Sequence, residues 1–242
     1  MNPVILIPAR MAAARLPGKP LADIGGLPMI VRVLRQAQAA GIGPVAVAAG
    51  DPEIAWAVET AGGTAVLTDP DLPSGSDRIL AALEALGGDH DVVINLQGDM
   101  PFVDAGVLRA CLDLLGSEPS CDISTVVAPE ASPADRSNPD VVKAVLAMRD
   151  ERAGRALYFT RGTLYGEGPV WRHIGIYGYR RAALERFTAA PPSPLEQREK
   201  LEQLRGLELG LSYWAAVTDA APISVDNPAD LEAARAYAKA HP

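Results

Sequence analysis

The chain is short of positive charge, of cysteine and of long apolar runs, and each shortage removes a class of function. Lysine and arginine number 22 against 30 aspartates and glutamates, a net charge of −8. That is the wrong sign for a general nucleic-acid binder, so any anionic ligand must be met by a few cations gathered locally. Only Cys111 and Cys121 occur. With no CxxC spacing and no histidine nearby, they argue against zinc and against a disulfide framework, and they read as small buried hydrophobes. Nowhere do about 18 apolar residues follow one another, the length a membrane span needs. The N-terminus has no basic segment ahead of a long apolar one. Val4–Ile7 is too short for a signal peptide and reads as a buried strand. The expectation is a cytoplasmic protein starting at Met1, with no nucleic-acid partner and no stable membrane association.

What is present is a chain of 242 residues, 48% hydrophobic. That suits one large domain, or one with a modest appendage. Val4–Ile7, Val45–Ala49, Thr64–Leu67 and Val92–Leu96 read as buried strands. Met29–Ala40, Pro52–Ala61, Ser76–Leu86 and Asp104–Leu115 read as the helices between and after them. The alternation predicts an α/β fold, a mostly parallel sheet with helices on both faces. Beyond about residue 120 the rhythm changes. Ile123–Ala128, Val141–Leu146 and Trp171–Tyr179 read as strands of an antiparallel addition, with helices at Arg181–Phe187 and Leu195–Arg205. Strand Ile223–Val225 and helix Pro228–Lys239 close the pattern.

In open α/β sheets ligands sit beyond the carboxyl ends of the strands, so the loops there are the places to look. After the first strand, the loop Pro8–Lys19 carries Arg10, Arg15 and Lys19. Arginine offers a flat fork of donors and lysine a compact charge, a pairing suited to a polyphosphate; a solvated surface loop is the plain alternative. The loop lacks GxGxxG, and Gly18-Lys19 is followed by Pro20 rather than Ser or Thr. It is therefore neither a dinucleotide fingerprint nor a Walker A loop.

Asp99, in Gln97-Gly98-Asp99-Met100-Pro101, follows the fourth strand, where a carboxylate can hold Mg²⁺ and Gly98 allows close approach; a turn aspartate before proline is the alternative. Asp226 follows the last predicted strand. Asn227 can cap the next helix with Pro228 at its first position, which leaves Asp226 available as a second magnesium ligand. Ser76 reads as the cap of the helix opened by Ser74-Gly75-Ser76-Asp77-Arg78, a helix start that can also face a nucleotide. His173 lies in an apolar strand with Gly175 and Gly178, and a lone strand histidine is more often structural than catalytic. Glu202-Gln203-Leu204-Arg205 reads as ordinary amphipathic helix surface.

Seven ordered segments, IPARMAAARLPGKPL, SGSDR, NLQGDMP, ALYFTR, RHIGIYGYR, PSPLEQREKLEQLR and SVDNPADLE, together resemble the 3-deoxy-manno-octulosonate (Kdo) cytidylyltransferases, and they run from residue 7 to residue 232. The resemblance implies a three-layer fold like the nucleotide-diphospho-sugar transferases, as a single domain over residues 1–242. A smaller α+β, antiparallel dimerisation subdomain would be inserted at about 123–210. It implies a homodimer that joins CTP and Kdo into CMP-Kdo with release of pyrophosphate, for lipopolysaccharide biosynthesis.

By that resemblance Pro8, Ala9, Arg10, Arg15, Lys19, Ser74, Gly75, Arg78 and Gln97 bind the nucleotide, and Asp99 and Asp226 hold Mg²⁺. Arg161, His173, Tyr177, Glu202 and Gln203 contact the sugar acid, and Arg10, Arg15, Lys19 and Asp99 serve catalysis. The chain departs from the family pattern in three places. Met100 stands where the family reads glutamate, Ala49-Gly50-Asp51 replaces ATD, and Leu164-Tyr165 replaces Ile-Pro. The last change motivates a second reading, the same reaction on another acidic sugar such as an amino-modified Kdo. Met100 motivates a third, a nucleotide-binding relative without catalysis.

Overall fold

The computed structural model describes residues 1–12 and 15–241. They form two compact units, residues 1–108 with 222–241, and residues 109–221.

The first unit is built on four parallel strands, β1 (Pro3–Ala9), β4 (Val45–Ala49), β5 (Thr64–Leu67) and β6 (Val92–Asn95). Their order is β5-β4-β1-β6. The central strand β1 is apolar throughout, with Val4, Ile5, Leu6 and Ile7 fully buried. Each such side chain is worth about 1.5–3 kcal/mol of transfer free energy. Between the strands run α1 (Met29–Ala39), α2 (Pro52–Thr60) and α3 (Gly75–Leu86). A small hairpin, β2 (Asp23–Ile24) with β3 (Leu27–Pro28), was not foreseen. Gly25 and Gly26 supply the positive φ its turn requires.

Three sequence expectations for this unit need correcting. Thr64–Leu67 is a strand but not a buried one, because it lies at the edge of the sheet and leaves Leu67 59% exposed. Ser76 does not cap α3. Ser76 is buried, and Ser74 takes the cap, its hydroxyl accepting from the backbone N–H of Asp77 at 3.2 Å. Ile223–Val225 is not a strand but extended chain whose Val225 N–H donates to the Asp99 carbonyl at 2.9 Å. From it the chain enters the final helix, where Ile24, Met29, Val225, Leu231, Ala234 and Ala238 form one apolar cluster.

Helix α4 (Ala105–Ser117) leads into the second unit. Its strands are β7 (Ile123–Pro129), β8 (Lys143–Met148), β9 (Ala153–Thr160), β10 (Trp171–Arg180) and β11 (Tyr213–Val217). The order is β10-β7-β11-β9-β8. An all-antiparallel addition was expected, but β7 and β11 pair parallel, so this sheet is mixed. The predicted strand at Val141–Leu146 begins two residues late, as β8, and β9 and β11 were not anticipated at all.

Helix α5 (Arg181–Ala189) matches expectation closely, whereas the helix expected at Leu195–Arg205 is two. These are α6 (Pro194–Glu199) and α7 (Gln203–Glu208), parted at Lys200, which takes φ 57°. A left-handed lysine ends a helix because its carbonyl leaves the helical ladder. The expected amphipathic surface at Glu202–Arg205 is also corrected, since Gln203, Leu204 and Arg205 are buried. Both cysteines are buried free thiols, as expected, each pushed up to about 12 chiefly by burial. The chain closes the first unit with α8 (Pro228–Ala240). No described helix is long and apolar enough to cross a membrane.

Candidate active site

Strand β1 is a buried apolar run that stops where polarity begins, so its last residues, Pro8 and Ala9, deliver the following loop to the carboxyl edge of the parallel sheet. A cavity of about 250 Å³ opens there. Pro8, Ala9, Arg10, Lys19, Ser74, Gly75, Arg78, Gln97, Gly98 and Asp99 all line it. Of the nine residues the resemblance assigns to the nucleotide, Arg15 alone is not in that lining. Ala13 and Ala14, within the same loop, lie outside the described residues.

Each wall has a local cause. Ser74 spends its hydroxyl on the start of α3, donating to Asp77 Oδ2 at 2.6 Å, which fixes Gly75 beside Pro8. Arg78, one turn on, is 2% exposed. Its guanidinium donates to Thr68 Oγ1 at 2.6 Å and to the carbonyls of Asp69 and Pro70 at 3.0 and 3.2 Å. Burial lowers its pKa, and so does neighbouring Arg10. Gln97 donates to Asn95 Oδ1 at 3.1 Å. At Gly98 a β-carbon would fall 3.0 Å from the Pro8 carbonyl, so the glycine lets the β6 loop close on β1.

The cationic end of the cavity is organised around two carboxylates. Gly18, at φ 72°, turns the chain so that Lys19 opens a short 3₁₀ turn. The Lys19 ammonium lies 2.8 Å from Asp99 Oδ2 and 3.6 Å from Asp226 Oδ1, and it also donates to the Val225 carbonyl at 3.1 Å. Arg15 reaches Asp226 Oδ1 at 3.1 Å from a mostly exposed position. Burial raises the Asp99 carboxyl above its ordinary range, against the pull of Lys19. The Asp226 side chain takes no part in capping α8, where Asn227 caps, as the sequence implied, and Asp230 completes a capping box. Among the described residues no group of three or more histidine, cysteine, aspartate and glutamate side chains could hold a metal. The Asp99–Asp226 pair nonetheless suits Mg²⁺, which takes one or two carboxylates and leaves its other positions to phosphate and water. A cation already sits against both side chains, so the pair is built to be charge-compensated. Met100, where the family reads glutamate, is 6% exposed and adds no charge.

In the second unit the residues assigned to the sugar acid are His173 and Tyr177 on β10, Arg161 just past β9, and Glu202 and Gln203 at the start of α7. His173 Nε2 lies 3.0 Å from Thr125 Oγ1, and its ring contacts Phe159 and Tyr177. Burial brings the imidazole down to about 3, so it is neutral at physiological pH. The Tyr177 phenol is pushed well up, first by burial and then by Tyr179 and Glu202, which places Glu202 within electrostatic reach. Gly175 in β10 lies at an irregularity of the sheet. The β10–β7 register shifts between Ile174 and Tyr177, and Thr125 Oγ1 donates to the Ile176 carbonyl across the bulge at 2.8 Å.

Two functional candidates were missed at the sequence level. Lys143 is fully buried and donates to the carbonyls of Asn138 and Arg161, both at 2.9 Å. Asp51 accepts from the Met11 backbone N–H at 2.7 Å. A charged residue inside an apolar strand was the available signal for Lys143; for Asp51 it was only the departure of Ala49-Gly50-Asp51 from the family pattern.

A family model described as cytidylyltransferase matches residues 4–213. The 3-deoxy-manno-octulosonate cytidylyltransferase of Parvibaculum lavamentivorans is 57% identical over 238 residues, covering 97% of this chain and 92% of that one. The chain belongs to the 3-deoxy-manno-octulosonate cytidylyltransferase family. The Rhodospirillum rubrum protein of the same description is 53% identical over 97% of this chain and 94% of its own. Among solved structures, a CMP:2-keto-3-deoxy-manno-octonic acid synthetase complexed with CTP superposes with a TM-score of 0.93 at 36% identity, covering all of both chains. The family read from seven ordered segments is therefore the family found.

Proposed function

We propose that the chain transfers CMP from CTP to 3-deoxy-D-manno-octulosonate, giving CMP-Kdo and pyrophosphate for lipopolysaccharide biosynthesis. One observation carries the reading: a single cavity at the carboxyl edge of the parallel sheet is lined by Pro8, Ala9, Arg10, Lys19, Ser74, Gly75, Arg78 and Gln97 and ends at Asp99. The similar solved structure, 36% identical, was determined with CTP.

The reaction forms a bond from the anomeric oxygen of the sugar to the α-phosphorus and breaks the bond to the β-phosphate. The hydroxyl proton is lost and pyrophosphate leaves. Nucleophile and electrophile are both anionic, so the step calls for positioning and charge neutralisation rather than a covalent intermediate. Arg10, Arg15 and Lys19 supply the positive charge for the triphosphate, and Ser74, Gly75, Arg78 and Gln97 shape the base pocket beside Pro8 and Ala9. Arg161, His173, Tyr177, Glu202 and Gln203 hold the sugar acid, with His173 acting neutral. Asp99 and Asp226 hold Mg²⁺, which when bound neutralises phosphate charge and lowers the pKa of the attacking hydroxyl. In this reading the enzyme works in the cytoplasm as a homodimer, which light scattering on the purified protein checks.

The deciding experiment is pyrophosphate release from CTP and Mg²⁺ with a panel of sugar acids. Turnover with Kdo above all others is expected. Absence of turnover with Kdo sinks the reading, and preference for an amino-modified Kdo moves the acceptor while keeping the chemistry.

A further inference from the structure

Asp51 stands at the cap position of α2, with Pro52 first in the helix, yet it makes no side-chain cap bond. Ser74 and Asn227, the equivalent residues of α3 and α8, both cap their helices. An aspartate is among the best capping residues, so a carboxylate turned away from its own helix has given up a stabilising contact. What it accepts instead is the backbone N–H of Met11 at 2.7 Å. Met11 lies between Arg10 and Ala12, both of which line the cavity. The same residue's carbonyl accepts from Gly18 N–H at 3.0 Å, which draws the far end of the loop back on itself just before Lys19.

The residue before Asp51 acts in the same place. Gly50 N–H donates to the Ala9 carbonyl at 2.8 Å, carrying the β1–β4 ladder one step beyond the strands. A β-carbon there would come within 2.7 Å of Arg78 Nη1 and 3.2 Å of Arg10 Cβ. Any side chain here would push on both arginines. Gly50 lets them close in, and the Asp51 charge favours the cationic form of Arg78.

We infer that Asp51 is a positioning residue for the nucleotide. By holding Met11 N–H it sets the backbone at Met11, beside Arg10 and against Gly18, before ligand arrives, and Gly50 clears the space behind it. The inference rests on the cavity taking CTP. A preset loop spares the ligand the ordering cost of arranging it, so the effect falls on affinity.

The test separates positioning from plain stability by three substitutions at one position. Asp51→Ser can cap α2 but is too short to reach Met11. Asp51→Asn keeps an acceptor oxygen at the same reach. Asp51→Ala offers neither. CTP affinity is measured by calorimetry with Mg²⁺ and no sugar, beside Tm and the KM and kcat of the complete reaction. Asp51→Ser and Asp51→Ala are expected to weaken CTP binding and raise its KM about tenfold, with kcat at saturation within about twofold. Asp51→Asn is expected within about threefold of wild type. Asp51→Ser is expected to keep the wild-type Tm or exceed it. Wild-type CTP affinity in Asp51→Ser overturns the inference, as do CTP losses that follow Tm across the three variants, or Asn as damaging as Ala. A wild-type enzyme that turns over CTP and Kdo while Asp51→Ser binds CTP normally leaves the function standing and removes only the role given to Asp51.

Discussion

Lys19 Nζ stands 2.8 Å from Oδ2 of Asp99, and the same ammonium is 3.6 Å from Asp226. The two carboxylates come from chain segments far apart in sequence, and a single cation serves both.

Asp99→Asn and Asp226→Asn each preserve shape and remove one charge. Either is expected to lower kcat by on the order of a thousandfold, the scale of losing metal-ion stabilisation of several kcal/mol. The Tm of Asp99→Asn should be unchanged or raised, because the cost of burying that charge goes with it. Near-normal pyrophosphate release in either variant removes that residue from the site.

His173 sets an acid limit. Its folded-state value is about 3 against an ordinary 6.5. Between those values the unfolded chain binds a proton that the fold refuses, so stability is complete above about pH 6.5 and falls as pH drops toward 3. The slope it contributes is at most about 1.4 kcal/mol per pH unit. His173→Gln should flatten the fall of Tm between pH 6 and about pH 4. A Tm profile that stays as steep in the variant assigns the acid sensitivity to other groups.

Lys143 is a buried charge spent on backbone carbonyls, one of them from Arg161, whose Nη1 in turn donates to the Pro139 carbonyl at 3.0 Å. Lys143→Met leaves both acceptors unserved and should cost about 1–3 kcal/mol of stability. KM for the sugar acid should rise severalfold while KM for CTP holds. Equal change in both constants would mean that the lysine supports the fold and not the placement of Arg161.

Gly206, within α7, faces the Tyr213 ring. An added β-carbon would fall 2.2 Å from the hydroxyl and under 3 Å from two ring carbons. Tyr213 is fully buried and cannot swing away. Gly206→Ala should destabilise by about 1–3 kcal/mol despite alanine's better helix propensity, as calorimetry would show. A rise in stability would mean that the ring relocates.

Local chemistry explains which parts could be read in advance. Val45–Ala49 was legible to the residue because an unbroken apolar run between glycines has few other fates. Asn227 was legible as a cap because its partners are three residues away. Arg10, Lys19, Ser74, Gln97 and Asp99 were findable because loops at strand ends are where an α/β sheet keeps its ligands. Strand β9 was not legible, since Ala153–Thr160 opens on small residues and one arginine and then runs apolar, which gives no clean period of two. The break at Lys200 was hidden because nothing about a lysine announces a left-handed backbone. The turn of Asp51 away from its helix was hidden for a different reason, as its partner lies forty residues earlier.

The extended segment before α8 brings Val225 onto the Asp99 carbonyl and Asp226 to Lys19. The first unit is thus begun by residues 1–108 and finished by the stretch after residue 222, with the whole second unit made in between. During synthesis Lys19 and Asp99 emerge early, and Asp226, which the same ammonium also meets, emerges late. A nascent or clipped chain ending before residue 222 lacks Asp226 and also the Val225, Leu231, Ala234 and Ala238 side chains that cover Ile24 and Met29, so the first unit's core is incomplete until the last stretch is made.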